Sequence, residues 1–213
     1  MVEKMAAAYR KAQMGIASSL AGTTGSILDE TAFYDAGYMD AQVKRVQKEI
    51  SSVTKELEVN IDLKDSSEYG IKKKRELMKR RERLVFRLVF LASNSFKNLD
   101  DCVKIAEGHK YSFMKCVEGL LAYDRGQKEK AFSILEKYYK EHKSVEGHFL
   151  INKVFGMLLA ERGQSGKAVS FLTYALQHKP DDVECLETLR GCYQSQGDKW
   201  KAAVINEVSA LLQ

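Results

Sequence analysis

Proline is almost missing from this sequence, which has one in 213 residues, Pro180. Because proline interrupts helices and marks turns, its scarcity in a chain rich in Lys, Glu, Leu and Ala favours helices over a β fold with many turns. Long apolar runs are also missing, since the longest, 84–92, is interrupted by Arg87 and is far shorter than the roughly 20 residues of a membrane span. The N-terminus lacks the basic start and apolar core of a secretory signal, although its first turns faintly resemble an organelle presequence. We therefore expect an all-α protein in the cytoplasm.

Cysteine and histidine are few and widely spaced. There are four of each, and they form no CxxC, HxxxH or HExxH pattern of the kind that binds zinc. The cysteines are Cys102, Cys116, Cys185 and Cys192. We interpret them as reduced, partly buried core thiols, and we predict no metal and no cofactor.

Catalytic arrangements are lacking in the same way, because no serine–histidine–acid set and no cysteine–histidine pair stands out. Two pairs of acids, Asp100–Asp101 and Asp181–Asp182, each precede a predicted helix. Capping of helix N-termini explains these pairs better than acid–base chemistry does. The sequence therefore predicts a protein without enzymatic activity.

The net charge of +5 is concentrated in one segment. Residues 72–87 hold nine basic and two acidic residues, a local charge of +7, so the remainder of the chain sums to −2. The basic patch consists of Lys72, Lys73, Lys74, Arg75, Lys79, Arg80, Arg81 and Arg83. Such a patch can bind nucleic acid or an anionic membrane surface, or act as a nuclear address. The alternative is a solvated helix face, since Leu77, Met78 and Leu84 share one side and no aromatic residues interleave the cations as a base-stacking platform would need.

The stretch GQSGKA, residues 163–168, superficially resembles the end of a phosphate-binding loop. Glu161 replaces the first glycine of that motif and Ala168 replaces the hydroxyl residue after the lysine, so the phosphate cradle and the magnesium ligand are both missing. A repeat explains the stretch instead, because YDRGQKEKAFSIL, AERGQSGKAVSFL and QSQGDKWKAAVIN align with periods of 37 and 34 residues. The aligned positions are Gly119, Gly156 and Arg190; Gly126, Gly163 and Gly197; Ala131, Ala168 and Ala202; and Tyr138, Ala175 and Ser209. Small residues at matching places predict hairpins in which the two helices cross closely. The turn glycine is predicted to end each first helix in a left-handed conformation.

The middle copy, FGMLLAERGQSGKAVSFLTYALQHKP, resembles the tetratricopeptide repeat (TPR) family. The matching residues are Phe155, Gly156, Leu159, Gly163, Ala168, Leu172, Ala175 and Pro180. The resemblance covers about residues 112–213. It implies an all-α fold in which antiparallel helix hairpins stack into a right-handed superhelix, here preceded by an N-terminal helical extension. We accordingly divide the chain into N-terminal helices with connectors (1–71), a basic helix with a degenerate hairpin (72–110) and three TPR-like repeats (111–213).

The resemblance also implies a binding groove, because in that family the first helix of each hairpin lines a concave surface that holds a peptide or a helix. The groove residues would be Phe113, Val117, Leu120 and Tyr123, then Leu150, Lys153, Val154, Met157 and Glu161, then Glu184, Thr188, Gly191 and Ser195. Lys153 is the only cation near this surface, so the set of cations with which family members grip acidic chaperone C-termini is not matched. An apolar groove accepts the apolar side of a helix or of an extended segment. Its occupant would be a partner protein or the chain's own N-terminal segment.

Two further apolar surfaces predict packing or self-association. Over 38–59, a heptad seam comprises Met39, Val43, Val46, Ile50, Val53 and Leu57. This seam either packs on the first helical hairpin or joins two copies as a coiled coil. The last predicted helix carries Val204, Val208 and Leu211, which indicates self-association or a further C-terminal region.

These patterns together predict a non-catalytic protein-interaction module, either an adaptor, a scaffold or a dedicated chaperone, that binds a protein or peptide in an apolar groove. Two alternatives stay open. One is a binder of nucleic acid or of an anionic membrane surface through 72–87. The other is a structural subunit of a homo- or hetero-oligomeric assembly.

Overall fold

The computed structural model describes residues 36–62, 67–142 and 148–210, and within these ranges the chain is helical and has no strand. The predictions for the N-terminal helix, for the connector 15–26 and for Leu211 lie outside these residues. The helices are α1 (Ala36–Asp62), α2 (Glu68–Ala92), α3 (Leu99–Ile105), α4 (Met114–Asp124), α5 (Lys128–Glu141), α6 (Phe149–Glu161), α7 (Ser165–His178), α8 (Val183–Ser195) and α9 (Lys199–Ala210), with a 3-10 turn at Phe96–Asn98. The all-α prediction is confirmed for the described chain.

The described residues divide into two compact units, 36–117 and 118–210, with the division inside α4. The loop expected over 60–71 is shorter than predicted, because α1 continues to Asp62 and α2 begins at Glu68. The earlier start of α2 has a local cause. The Ser67 side chain caps the helix by accepting a hydrogen bond from the backbone N of Gly70 at 3.0 Å. The boundary expected between residues 71 and 72 therefore falls inside a helix.

In the unit 36–117, α1 and α2 pack along each other as a hairpin. The heptad seam is buried, with Val46 and Val53 at 0% and 2% exposure and Val43 and Ile50 half-buried. Near the connection of the two helices, Lys73 Nζ lies 3.6 Å from Glu56 Oε1. The seam packs within the same chain, where α1 lies against α2. Val46 and Val53 are buried within one copy, and self-association through the seam stays a prediction.

The degenerate hairpin predicted over 76–108 forms between α2 and α3. At this contact the Cys102 thiol lies 3.7 Å from the backbone oxygen of Val89, and Leu99 is fully buried. The capping role predicted for Asp100 or Asp101 is wrong. The N-cap is Asn98, which makes no side-chain capping bond, and both acids lie in the first turn. Their negative charges still stabilise the helix there, because they lie at the positive end of its dipole.

In the unit 118–210, the turn glycines end their helices as predicted. Gly126, Gly163 and Gly197 have φ of +73°, +71° and +77°, a region that other residues adopt only with strain. Each turn closes with the same bond from the next backbone N to a carbonyl of the preceding helix, and for Gln164 N to Leu159 O the distance is 2.9 Å. The companion bond from Gly163 N to Ala160 O is also 2.9 Å long. These two bonds form a Schellman motif, which satisfies carbonyls that a helix end would otherwise leave unpaired.

The small residues ahead of the turns lie where the helices cross. A Cβ on Gly119 would stand 2.8 Å from Leu135 Cδ2, and a Cβ on Gly156 would stand 2.8 Å from Leu172 Cγ. In the third hairpin the corresponding pair is Arg190 and Asn206, which are joined by a hydrogen bond of 3.1 Å from Nη1 to Oδ1. The first two hairpins are therefore locked by a leucine seated against glycine, and the third is joined by exposed polar groups.

We expect Gly156→Ala to destabilise the protein, although alanine is the better helix former. At a solvent-exposed helix position, exchanging glycine for alanine raises the free energy of unfolding by about 1 kcal/mol. At Gly156 the new methyl would also lie 3.2 Å from the backbone N of Leu172, so neither the side chain nor the main chain has room to yield. Overpacking costs about 1–3 kcal/mol, and the expected net loss in urea unfolding is roughly 1 kcal/mol.

Gly191→Ala is the matched control, since Gly191 also lies inside a helix but has no atom within 4 Å of the place that the new methyl would take. It is expected to gain up to about 1 kcal/mol. Equal shifts for the two variants would show that the close crossing does not determine stability.

Candidate functional site

The apolar residues predicted to line the groove are buried. Exposure lies between 0% and 9% for Phe113 and Val117 in the unit 36–117, and for Leu120, Leu150, Val154 and Met157 in the unit 118–210. Tyr123 is half-buried. In this conformation these side chains form part of the interior and offer no open apolar surface. Binding in an apolar groove therefore stays a prediction. It requires that the parts of the chain that now bury these side chains move away.

The predicted groove positions on α8 are accessible. Glu184, Gly191 and Ser195 are exposed and Thr188 is half-buried. The same side of the helix also exposes Glu187 and Gln194, which sequence reasoning did not select. Their signal was present in the sequence, because positions 184, 187, 188, 191, 194 and 195 recur at the three- and four-residue steps of one helix face. We call these six residues the α8 face, and it is polar and accessible, unlike the apolar groove positions on α4 and α6.

Lys153, the one cation assigned to the groove, is committed to carboxylates of the same chain. Its Nζ lies 2.9 Å from Asp182 Oδ1 and 2.7 Å from Glu184 Oε2, and its side chain is only 12% exposed. Burial is the largest influence and disfavours the charged form. The hydrogen bonds and the attraction of the two acids outweigh it, so the pKa of Lys153 is raised above its ordinary value. The cluster joins α6 to the start of α8.

Asp182 has a second role in this cluster. It is the N-cap of α8, and its Oδ1 accepts a hydrogen bond of 2.9 Å from the backbone N of Cys185. The capping interpretation of the pair Asp181–Asp182 is thus confirmed at Asp182. The carboxylate orients α8, whose predicted groove positions are accessible; Glu161 on α6 is the other exposed position of the predicted groove.

The four cysteines are free and buried, as predicted for core thiols. Burial is the main cause that raises the pKa of Cys102 and of Cys185 to about 12. Because the thiolate is the reactive form, these groups are poor nucleophiles near neutral pH. Among the residues that the structure describes, no group of three or more His, Cys, Asp or Glu is placed to hold a metal ion.

The basic patch lies entirely on the first part of α2. Lys73 pairs with Glu56 and is partly covered, and the other seven members are exposed: Lys72, Lys74, Arg75, Lys79, Arg80, Arg81 and Arg83. We call these seven the α2 cations. The grouping of Met78 with the buried side was wrong, since Met78 is 57% exposed whereas Leu77 is buried. The buried stripe is narrower than expected because the first half of α2 packs on one side only.

The C-terminal surface is partly covered. Val204 and Val208 are half-buried, and α9 packs on α8. A cavity of ≈ 210 Å³ opens beside α9, lined by Leu176, Leu189, Tyr193, Trp200 and Val204 among others. Trp200 at its edge is the most exposed large apolar residue of the described part of this unit. Self-association through this surface stays a prediction.

In the described residues, no helix is both long and apolar enough to cross a bilayer. No family model, no curated protein and no solved structure matches this chain. The class of protein is therefore defined by the fold itself, an all-helical chain whose neighbouring helices pack pairwise.

Proposed function

We propose that this chain is a non-catalytic protein-interaction module whose last three hairpins follow the TPR pattern. Two features support the pattern: the Schellman turns that recur in all three hairpins, and the glycine–leucine crossings of the first two. The third hairpin departs from it, with Arg190 and Asn206 at the matching places. In a stack of such hairpins the first helices share one side, which is the side that accepts a partner. Among the positions assigned to that side, those on α8 are open.

The observation that carries the proposal is Gly191 in the middle of the α8 face. A glycine inside a helix costs about 1 kcal/mol relative to alanine. No atom lies within 4 Å of the place where its Cβ would stand, so packing within the chain does not require glycine there. A partner backbone that approaches the helix closely does require it. The glycine is therefore best explained by a ligand that contacts α8.

The neighbouring side chains define the chemistry of that ligand. Glu184 and Glu187 are exposed carboxylates, and Gln194 and Ser195 supply amide and hydroxyl groups a turn or two further along. Carboxylates and amides on one helix face suit a peptide segment or helix that carries lysine or arginine and presents polar backbone. The partner we propose is accordingly basic, not the apolar segment that the sequence alone suggested.

Gly191→Trp tests the proposal. The new Cβ meets no atom within 4 Å and the position is exposed, so the ring can extend toward solvent and the fold should survive. A partner captured from native extract with the wild-type protein is purified and titrated against both forms. We expect the dissociation constant to rise at least about tenfold for Gly191→Trp, because each 1.4 kcal/mol of lost contact is a factor of ten.

Gly166→Trp is the matched control. Gly166 is also an exposed helical glycine with no atom within 4 Å of its methyl position, but it lies on α7 and is not one of the predicted groove positions. It should leave binding unchanged. Loss of binding in both variants, or in neither, would remove the α8 face as the docking surface.

A further inference from the structure

The α1–α2 hairpin exposes an unusual concentration of positive charge. None of the seven α2 cations makes an ion pair with another described residue, and only Lys73 of the basic patch does. They occupy three turns of one helix and extend round most of its circumference, because consecutive residues are about 100° apart. Such a segment creates a strong positive potential toward any anionic surface near it.

Large apolar side chains are exposed among these charges. Val59, Tyr69, Ile71 and Met78 are between 51% and 73% exposed, and they lie at the end of α1 and in the first half of α2. Ile71 and Met78 are two turns apart and share a stripe with Arg75. Three other large apolar residues are exposed in the described chain, and none of them lies on α1 or α2. The hairpin end thus combines cations with accessible apolar tips.

This combination fits the interface of an anionic bilayer better than the two other acidic partners. Phosphates of nucleic acid pair with the cations but have no use for exposed aliphatic side chains, and Tyr69 precedes the cations and does not alternate with them as the rings of a stacking platform do. A folded acidic protein pairs only with the cations that face it. A charged bilayer attracts every cation within a Debye length of about 8 Å and also accepts apolar tips between its headgroups.

We propose that the end of the α1–α2 hairpin docks on anionic membrane surfaces. The α2 cations supply the attraction to acidic lipid headgroups. Ile71 and Met78, which share one stripe of the helix, enter the interfacial region, where short apolar insertions add to the binding. The helix lies on the surface, and binding is reversible because a few inserted side chains anchor far less strongly than a lipid chain does.

Vesicle sedimentation with the full chain tests the proposal. The protein is mixed with vesicles of phosphatidylcholine alone or with vesicles in which about a third of the lipid is phosphatidylserine. We expect binding to the second kind only, with a steep fall as NaCl is raised from about 0.1 M to about 0.5 M, where the Debye length shortens. Arg75→Glu/Lys79→Glu should weaken the binding at least about tenfold, since each cation near the surface contributes a several-fold factor.

A matched control carries the same change in net charge elsewhere in the unit. Lys97→Glu/Lys110→Glu replaces two exposed lysines outside the α2 cations and should change binding far less. Insertion is tested with Met78→Trp in a Trp200→Phe background, which leaves a single tryptophan. Its emission should shift to shorter wavelength on phosphatidylserine vesicles and should not shift on short duplex DNA or on an acidic peptide.

Several results would overturn the proposal. Equal binding to both kinds of vesicle is one, and equal losses in the two double variants is another. Tighter binding to the DNA or to the acidic peptide than to the vesicles, without an emission shift on lipid, would assign the α2 cations to that partner instead. If the charge-reversed variant does not fold, the salt dependence and the emission shift still decide the matter.

Discussion

Phe155→Ala is expected to lower the free energy of unfolding by about 3–5 kcal/mol, the cost of removing a large ring from a packed core. Phe155 is 4% exposed on α6 and joins three helices through ring contacts. Its centroid lies 4.7 Å from that of Tyr139 on α5, in a stacked arrangement, and 4.9 Å from that of Phe171 on α7, edge to face. Such pairs add about 0.5–1.5 kcal/mol each beyond the burial of area.

The same alanine removes support from a polar contact. The Tyr139 hydroxyl donates a hydrogen bond of 3.0 Å to Asn152 Oδ1. Tyr139 is thus held against α6 at two residues, Asn152 and Phe155. Urea denaturation monitored by circular dichroism measures the loss. Tyr174→Ala is the control, because Tyr174 lies on α7 but is 42% exposed, and its truncation should cost less than about 1 kcal/mol. A Phe155→Ala loss as small as that of the control would mean that the three helices are not joined through this cluster.

Lys153→Met is expected to cost about 3 kcal/mol, because removing one partner of a buried ion pair leaves the other charge uncompensated. Asp182, which is 8% exposed at its side chain, would keep Lys179 at 3.5 Å as its one cationic partner among the described residues. Lys179→Met is the matched control. Both lysines reach Asp182 and the ring of Phe149, at 5.8 Å and 5.6 Å from its centroid, but Lys179 is 32% exposed and lacks the contact with Glu184. Its loss should stay below about 1 kcal/mol.

The pH dependence of the Lys153→Met effect follows from the raised pKa of Lys153. A group whose pKa is higher in the folded protein than in the unfolded chain stabilises the fold fully below the unfolded value, here 10.5. That contribution is lost as the pH rises through the folded pKa. The difference in unfolding free energy between the wild type and Lys153→Met should therefore be constant in the neutral range and shrink above about pH 10.5. A difference that grows with pH in that range would contradict the assignment of the cluster as a charged pair.

The repeat was readable from the sequence because its determinants are local. A turn glycine needs a positive φ, and Gly126, Gly163 and Gly197 have it, so spacing alone located the ends of three helices. The heptad seam was readable for the same reason, since a stripe such as Val46 and Val53 must be buried against something. The helix that covers this seam could not be predicted from the sequence. Ser67 and Gly70, which cap and begin the partner helix α2, have the composition of a loop and therefore hide its start from sequence reasoning.

The candidate surfaces were harder to predict than the helices. Groove positions such as Leu150 and Val154 were placed on the correct helix, but whether a helix face is open depends on contacts that are distant in the chain. The exposure of Met78 was not predicted. The width of a buried stripe depends on how many other helices pack against the helix, and the sequence pattern does not contain that number. Spacing alone placed Gly191 in the groove and gave no reason for a glycine there. The empty space before Gly191 is revealed only by the three-dimensional structure.

The bond between Arg190 and Asn206 gives the last hairpin a different character from the others. A leucine pressed against a glycine excludes solvent, whereas two exposed polar side chains exchange their mutual bond for bonds to water at little cost. Under mild denaturant α9 should separate from α8 before α7 separates from α6, and amide hydrogens of α9 should be the first of these to exchange. The hairpin of α8 and α9 is therefore expected to open before the hairpin of α6 and α7.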